Sequence, residues 1–98
     1  MLLMRAAAQL QAVQDDWNAS SFEDIKEALT YNRRLWTVLV TSATEDSNPL
    51  PIELKQNIGS LGVFILRHTV DTLDDPKPER LTSLISINRN IAQGLRGN

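Results

Sequence analysis

The chain has 98 residues, of which 42% are hydrophobic and 22% charged, a composition typical of a globular protein and unlike that of disordered chains. Ten basic and 12 acidic residues give a net charge of −2, which excludes a general basic surface for nucleic acid or anionic lipid. The absence of cysteine excludes disulfide bonds and thiolate metal ligands. We expect one domain over residues 1–98 and, because no signal-peptide pattern is evident, a cytoplasmic protein.

The first half of the chain predicts two helices. Apolar residues repeat at steps of three and four in the first segment, which predicts a helix from Leu2 to Asn18. Ser20 followed by Glu23 has the spacing of a capping box, so a second helix should begin there and run to about Ala43.

Prolines set the remaining boundaries. Pro51 suits the first position of a third helix, which should run to about Leu73. A pair of prolines then ends this helix, and Pro78 opens a fourth helix that reaches Gly94 or Leu95. The predicted fold class is therefore all-α, a small bundle of four helices joined by short loops.

One polar residue interrupts the apolar stripe of each of the last three helices: Asn32, His68 and Asn88. A buried polar group needs a hydrogen-bond partner. His68 and Asn88 lie at similar distances from the last turn, so we expect them to bond to each other, with Asn32 outside this pair. A ligand pocket lined by these groups is the alternative. The predicted core residues are Asn32, Trp36, Leu39, Ile58, Leu61, Ile65, His68, Leu84, Asn88 and Ile91.

Helices two and three are more apolar than a single core face requires, because each has a second apolar line beside its core stripe. Helix three is then either a hub that contacts all the other helices, or part of a surface for a partner or for self-association. The second lines are Ala28, Tyr31, Leu35 and Val38 on helix two, and Gly59, Val63, Leu66, Val70 and Leu73 on helix three.

The residue inventory argues against catalysis. His68 is the only histidine and has no recognisable nucleophile motif beside it, and the glycines do not form a phosphate-binding loop. We expect no enzymatic activity, no metal and no cofactor. Arg33 and Arg34 diverge by about 100° around the helix, so they form no flat patch. Ion pairs with neighbouring helices are the expected role of these arginines, and contact with a partner protein is the alternative.

The second helix contains the motif Asn32-Arg33-Arg34-Leu35-Trp36-Thr37. With Leu50-Pro51, His68-Thr69 and Gly94-Leu95-Arg96-Gly97, this motif resembles the FlaF family of bacterial flagellar proteins. The resemblance extends from about Glu27 to Gly97. Members of the family usually carry a further polar segment before the first helix, which this sequence does not show.

The resemblance implies a helical cytoplasmic protein that promotes flagellin synthesis and secretion, acts together with the regulator FlbT and serves as a chaperone that binds flagellin. We expect the terminal segments of flagellin to be amphipathic helices, which bind in grooves between other helices. Helices two and three should form this groove, with Gly59 and Gly62 allowing close approach. Its expected lining is Tyr31, Arg34, Leu35, Val38, Val63, Leu66 and Val70.

Two other functions are alternatives. The first is a post-transcriptional regulator that acts with FlbT on flagellin messenger RNA, against which the acidic composition and the dispersed arginines weigh. The second is a purely structural dimerisation module, in which the double-striped third helix closes a symmetric dimer.

Overall fold

The structure, a computed structural model, describes residues 1–96 and contains four α-helices. They are α1 (Leu2–Asp15), α2 (Phe22–Ala43), α3 (Ile52–Asp74) and α4 (Thr82–Leu95). Short 3-10 turns, Trp17–Ala19 and Pro78–Leu81, precede α2 and α4, and no strand occurs within residues 1–96. The predicted all-α fold of four helices with short loops is confirmed. The last residue of the closing motif, Gly97, lies outside the described residues.

The capping box of α2 lies one residue later than the sequence predicts. Ser21 Oγ accepts a hydrogen bond from the backbone N–H of Asp24 at 3.1 Å, and the Asp24 carboxylate accepts one from the backbone N–H of Ser21 at 3.0 Å. Ser20 does not cap the helix, because its hydroxyl donates to the backbone carbonyl of Asp16 at 2.9 Å and closes the preceding turn. The prediction of a Ser20–Glu23 box is therefore wrong, and the prediction that α2 ends at Ala43 is correct.

Three other helix boundaries also differ from the predictions. The first helix ends at Asp15 rather than Asn18, because the chain tightens into a 3-10 turn. Pro51 is the residue before α3 rather than its first residue. Pro78 opens a 3-10 turn, so α4 itself begins at Thr82.

All four helices contribute to the core: α1 packs on α4 and on α2, and α3 packs along α2 and adds Ile58 and Ile65. Small residues make this possible, because Ala6, Ala7 and Ala92 are completely or almost completely buried and let helices approach closely. Helix α3 makes much less contact with α4 than with α2. The expectation that helix three is a central hub is therefore wrong, and the molecule is elongated, with extents of 43 × 25 × 17 Å.

The close approach of α2 and α3 depends on Gly62. A Cβ atom at this position would lie 2.5 Å from Val40 Cγ2, which is inside the van der Waals distance. Val40 cannot easily turn away, because a β-branched side chain in a helix has one strongly preferred rotamer. By contrast, a Cβ atom at Gly59 would have no heavy atom within 4 Å.

The buried polar residues form a network different from the predicted one. The indole N–H of Trp36 donates to Asn88 Oδ1 at 2.7 Å, and Asn88 Nδ2 donates to Asn32 Oδ1 at 2.6 Å. All three side chains are almost completely buried. The predicted His68–Asn88 pair is wrong because α4 presents Asn88 to α2 rather than to α3. Asn32, which we placed outside the pair, is the residue that bonds to Asn88.

His68 instead connects α3 to the turn before α4. Its Nε2 lies 2.6 Å from the backbone carbonyl oxygen of Arg80 and 3.4 Å from the Ser83 hydroxyl. The imidazole ring stacks on Phe64, with ring centroids 5.1 Å apart. Among the ten residues predicted for the core, Leu39, Leu61 and His68 are half-buried and the other seven are buried.

Candidate functional site

A concave surface lies between the start of α1 and the outer face of α2, and we call it the α1–α2 groove. It has a volume of about 710 Å³. Its lining contains four of the residues that the sequence predicts for partner binding, Tyr31, Arg34, Leu35 and Val38. The complete lining is Leu2, Glu23, Lys26, Glu27, Thr30, Tyr31, Arg34, Leu35 and Val38.

The apolar floor of the groove follows from helical spacing. Tyr31, Leu35 and Val38 are separated by four and three residues, so they share one face of α2. Val38 is 66% exposed, whereas Leu35 is half-buried and packs against the core. Leu2, which is 55% exposed, closes the floor from α1. We did not predict Leu2 because it lies outside the apolar stripe of its own helix.

Charged side chains surround this floor. Glu23, Lys26, Glu27 and Arg34 are all exposed at the groove. Within residues 1–96, neither these four residues nor Arg33 forms an ion pair. The ion pairs in that range join Asp75 to Lys77 and to Arg80. The expectation that the paired arginines hold neighbouring helices through ion pairs is therefore wrong, and the groove charges are free to face a ligand.

A second apolar surface runs along α3, and we call it the α3 seam. Its large apolar residues are strongly exposed, with Val63 at 60%, Leu66 at 44% and Val70 at 63%. Val63 and Leu66 border a small depression of about 170 Å³ that Thr37 and Val40 of α2 also line. The full seam consists of Ile52, Gln56, Gly59, Val63, Leu66 and Val70.

The structure separates the residues that the sequence placed in one groove. Tyr31, Leu35 and Val38 lie in the α1–α2 groove, whereas Val63 and Leu66 line a different depression. The separation arises because α2 packs on α3 through another face, which includes the Val40–Gly62 contact. The prediction of a single groove between helices two and three is therefore wrong. Gly62 allows α3 to contact Val40 of α2, so the expectation that both glycines admit a partner is wrong for Gly62.

The described part of the chain offers little for catalysis. His68 is engaged with a backbone carbonyl, and within residues 1–96 no three His, Asp or Glu side chains come together as a metal site. No helix in residues 1–96 is both long and apolar enough to cross a bilayer. The arrangement is suited to binding another protein through apolar side chains with a charged rim.

Comparison with known families supplies the decisive observation. The family model described as "Flagellar protein FlaF" matches residues 1–95, almost the whole chain. The chain belongs to the FlaF family. Searches of curated proteins and of solved structures gave no match. The FlaF match includes α1, which lies before the segment of about residues 27–97 on which the sequence resemblance rests.

The residues of the Asn32–Thr37 segment have two different structural roles. Asn32 and Trp36 point into the core and form the buried network with α4. Arg34 and Leu35 line the α1–α2 groove instead. This one segment therefore contributes both to the packing of the bundle and to the α1–α2 groove.

Proposed function

We propose that this FlaF protein is a cytoplasmic chaperone for flagellin, which promotes flagellin synthesis and secretion by binding a terminal amphipathic helix of flagellin in the α1–α2 groove. Family membership supports a flagellar role. The observation that supports this site is an apolar line, half-buried at Tyr31 and Leu35 and exposed at Val38, on the floor of a concave surface of about 710 Å³. An amphipathic helix binds such a groove through residues spaced three and four apart.

The dimensions of the groove fit a helix. Glu23 and Val38 lie at its two ends, and the 15 steps of α2 between them span about 22 Å at a rise of 1.5 Å per residue. A ligand helix of about four turns covers this distance. Its apolar face would contact Leu35 and Val38, and would cover the side chain of Leu2.

The charges at the groove favour one orientation of the ligand. Glu23 and Glu27 lie on the first turns of α2, and Arg34 lies nearly two turns further along. A ligand helix with basic groups near the two glutamates and an acidic group near Arg34 is complementary to this rim. Lys26 adds a further basic group beside the glutamates and would select against a uniformly basic ligand end.

Chaperone action follows from covering apolar surface. An unassembled flagellin helix exposes its apolar face to water, which favours aggregation. Holding that face in the groove would keep flagellin ready for secretion, and release would return the chaperone. We propose FlbT as a second partner that acts with this protein, without assigning it a surface.

Co-expression with flagellin, followed by size-exclusion chromatography, tests the proposal. The wild-type chain should elute together with flagellin. Val38→Glu should abolish co-elution, because it places a charge on the apolar floor, and its fold should persist because the side chain is 66% exposed. Val63→Glu is the matched control, since Val63 is 60% exposed outside the groove. If Val63→Glu loses co-elution while Val38→Glu keeps it, the proposed site is wrong. If the wild-type chain does not co-elute with flagellin, the proposed function is wrong.

A further inference from the structure

The α3 seam has the spacing of a coiled-coil interface. Its six residues follow one another at steps of four and three, which is the heptad alternation. Val63 and Val70 alternate with Leu66, so apolar side chains occupy three successive core positions of the heptad pattern. These residues are not core residues of the chain, because the buried residues of α3, such as Ile58 and Ile65, lie on another face.

The seam is ready for pairing without further folding. Helix α3 is held in place by its contact with α2, so binding another helix would not require the ordering of a flexible segment. The depression beside Val63 and Leu66 is small, at about 170 Å³, compared with about 710 Å³ for the α1–α2 groove. A second helix would therefore lie along the exposed apolar side chains of the seam rather than fill a large cavity.

The charges beside the seam are self-complementary. On the flank that faces away from α2, Glu53, Ser60 and Arg67 occupy equivalent heptad positions and are all exposed. If two copies of α3 run antiparallel, with Val63 opposite Gly59, then Arg67 of each copy lies close to Glu53 of the other. In a parallel pair these two flanks lie on opposite sides of the interface, so Arg67 and Glu53 would not meet. The antiparallel arrangement thus gives two opposite-charge contacts related by a two-fold axis.

We propose that two copies of this chain form an antiparallel dimer through the α3 seam. In this register Val70 packs opposite Ile52, and the small residue Gly59 accommodates Val63. The opposite charges of Arg67 and Glu53 commit the seam to a second copy of the chain rather than to an unrelated helix. The dimer leaves the α1–α2 groove of each copy on a separate surface, and it does not depend on the identity of the groove ligand.

Measurement of molar mass by sedimentation or light scattering tests the dimer. At increasing concentration, the mass should rise to twice the 11.0 kDa of one chain. Val63→Glu should raise the dissociation constant at least about tenfold, because it places a charge at the centre of the interface. Val38→Glu replaces a similarly exposed valine in the α1–α2 groove and should leave the dimer intact.

A charge exchange tests the antiparallel register. Arg67→Glu should weaken the dimer, and adding Glu53→Arg to the same chain should restore it, because the opposite charges again face each other. A wild-type chain that is monomeric at every concentration would overturn the proposal. The proposal is also wrong if the double variant dimerises no more tightly than Arg67→Glu alone. It is wrong, too, if the chain never dimerises and Val63→Glu removes flagellin binding, since the seam would then be a flagellin site.

Discussion

Replacement of Asn88 by leucine tests the buried network that joins α2 to α4. The substitution removes the acceptor of the Trp36 indole N–H and the donor to Asn32 Oδ1, both of which are buried. Each unsatisfied group costs about 1–3 kcal/mol. Burial of the leucine side chain returns about 1–2 kcal/mol, and its greater volume must fit a site with no exposed surface. The central values of these terms give an expected net loss of about 2–3 kcal/mol in the free energy of unfolding.

Thermal unfolding followed by circular dichroism measures this loss. For a domain of this size, about 2 kcal/mol corresponds to a decrease of roughly 8–16 °C in Tm. Asn90→Leu is the matched control, because it makes the same chemical change at an exposed position of α4 and includes the same gain in helix propensity. If Asn88→Leu and Asn90→Leu have the same Tm, the network does not stabilise the fold and the reasoning is wrong.

Three further predictions concern packing and capping. Gly62→Ala should destabilise the protein by about 1–3 kcal/mol, because the added methyl group clashes with Val40. Gly59→Ala should stabilise the protein by about 0.5–1 kcal/mol, because alanine is the better helix former and its Cβ meets no other atom. Chemical denaturation measures both changes in the free energy of unfolding. Ser21→Ala should cost about 1 kcal/mol and more than Ser20→Ala, and equal losses in denaturation experiments would disprove the observed cap. Trp36→Phe should lower stability by about 1–3 kcal/mol, because it leaves a buried carbonyl oxygen without its donor; an unchanged denaturation midpoint would contradict this.

The fold class could be predicted because periodicity and prolines are local signals. The end of α2 at Ala43 and the end of α4 at Leu95 were correct for this reason. The start of α2 was predicted one residue early, since Ser20 and Ser21 both precede an acidic residue by three positions. Only the hydrogen bond from Ser20 to the Asp16 carbonyl distinguishes the two serines, and it depends on the path of the preceding turn.

The spatial arrangement of the helices could not be predicted, because it depends on long-range packing. Distances along the sequence from the last turn suggested that Asn88 meets His68, whereas α4 packs mainly on α1 and its Asn88 side chain reaches Asn32 of α2. The same error combined two surfaces into one groove. The apolar lines on helices two and three were visible in the sequence, but their directions depend on where Gly62 lets α3 contact α2.

Nuclear magnetic resonance mapping is the most direct test of the proposed flagellin site. A peptide with the sequence of a flagellin terminal helix is added to the isotope-labelled chain, and changes in amide chemical shift are recorded for every residue. Binding in the α1–α2 groove predicts the largest changes around Tyr31, Leu35 and Val38, with much smaller changes around Val63 and Val70. The account would be contradicted if neither terminal helix binds, or if the chemical-shift changes are confined to the α3 seam.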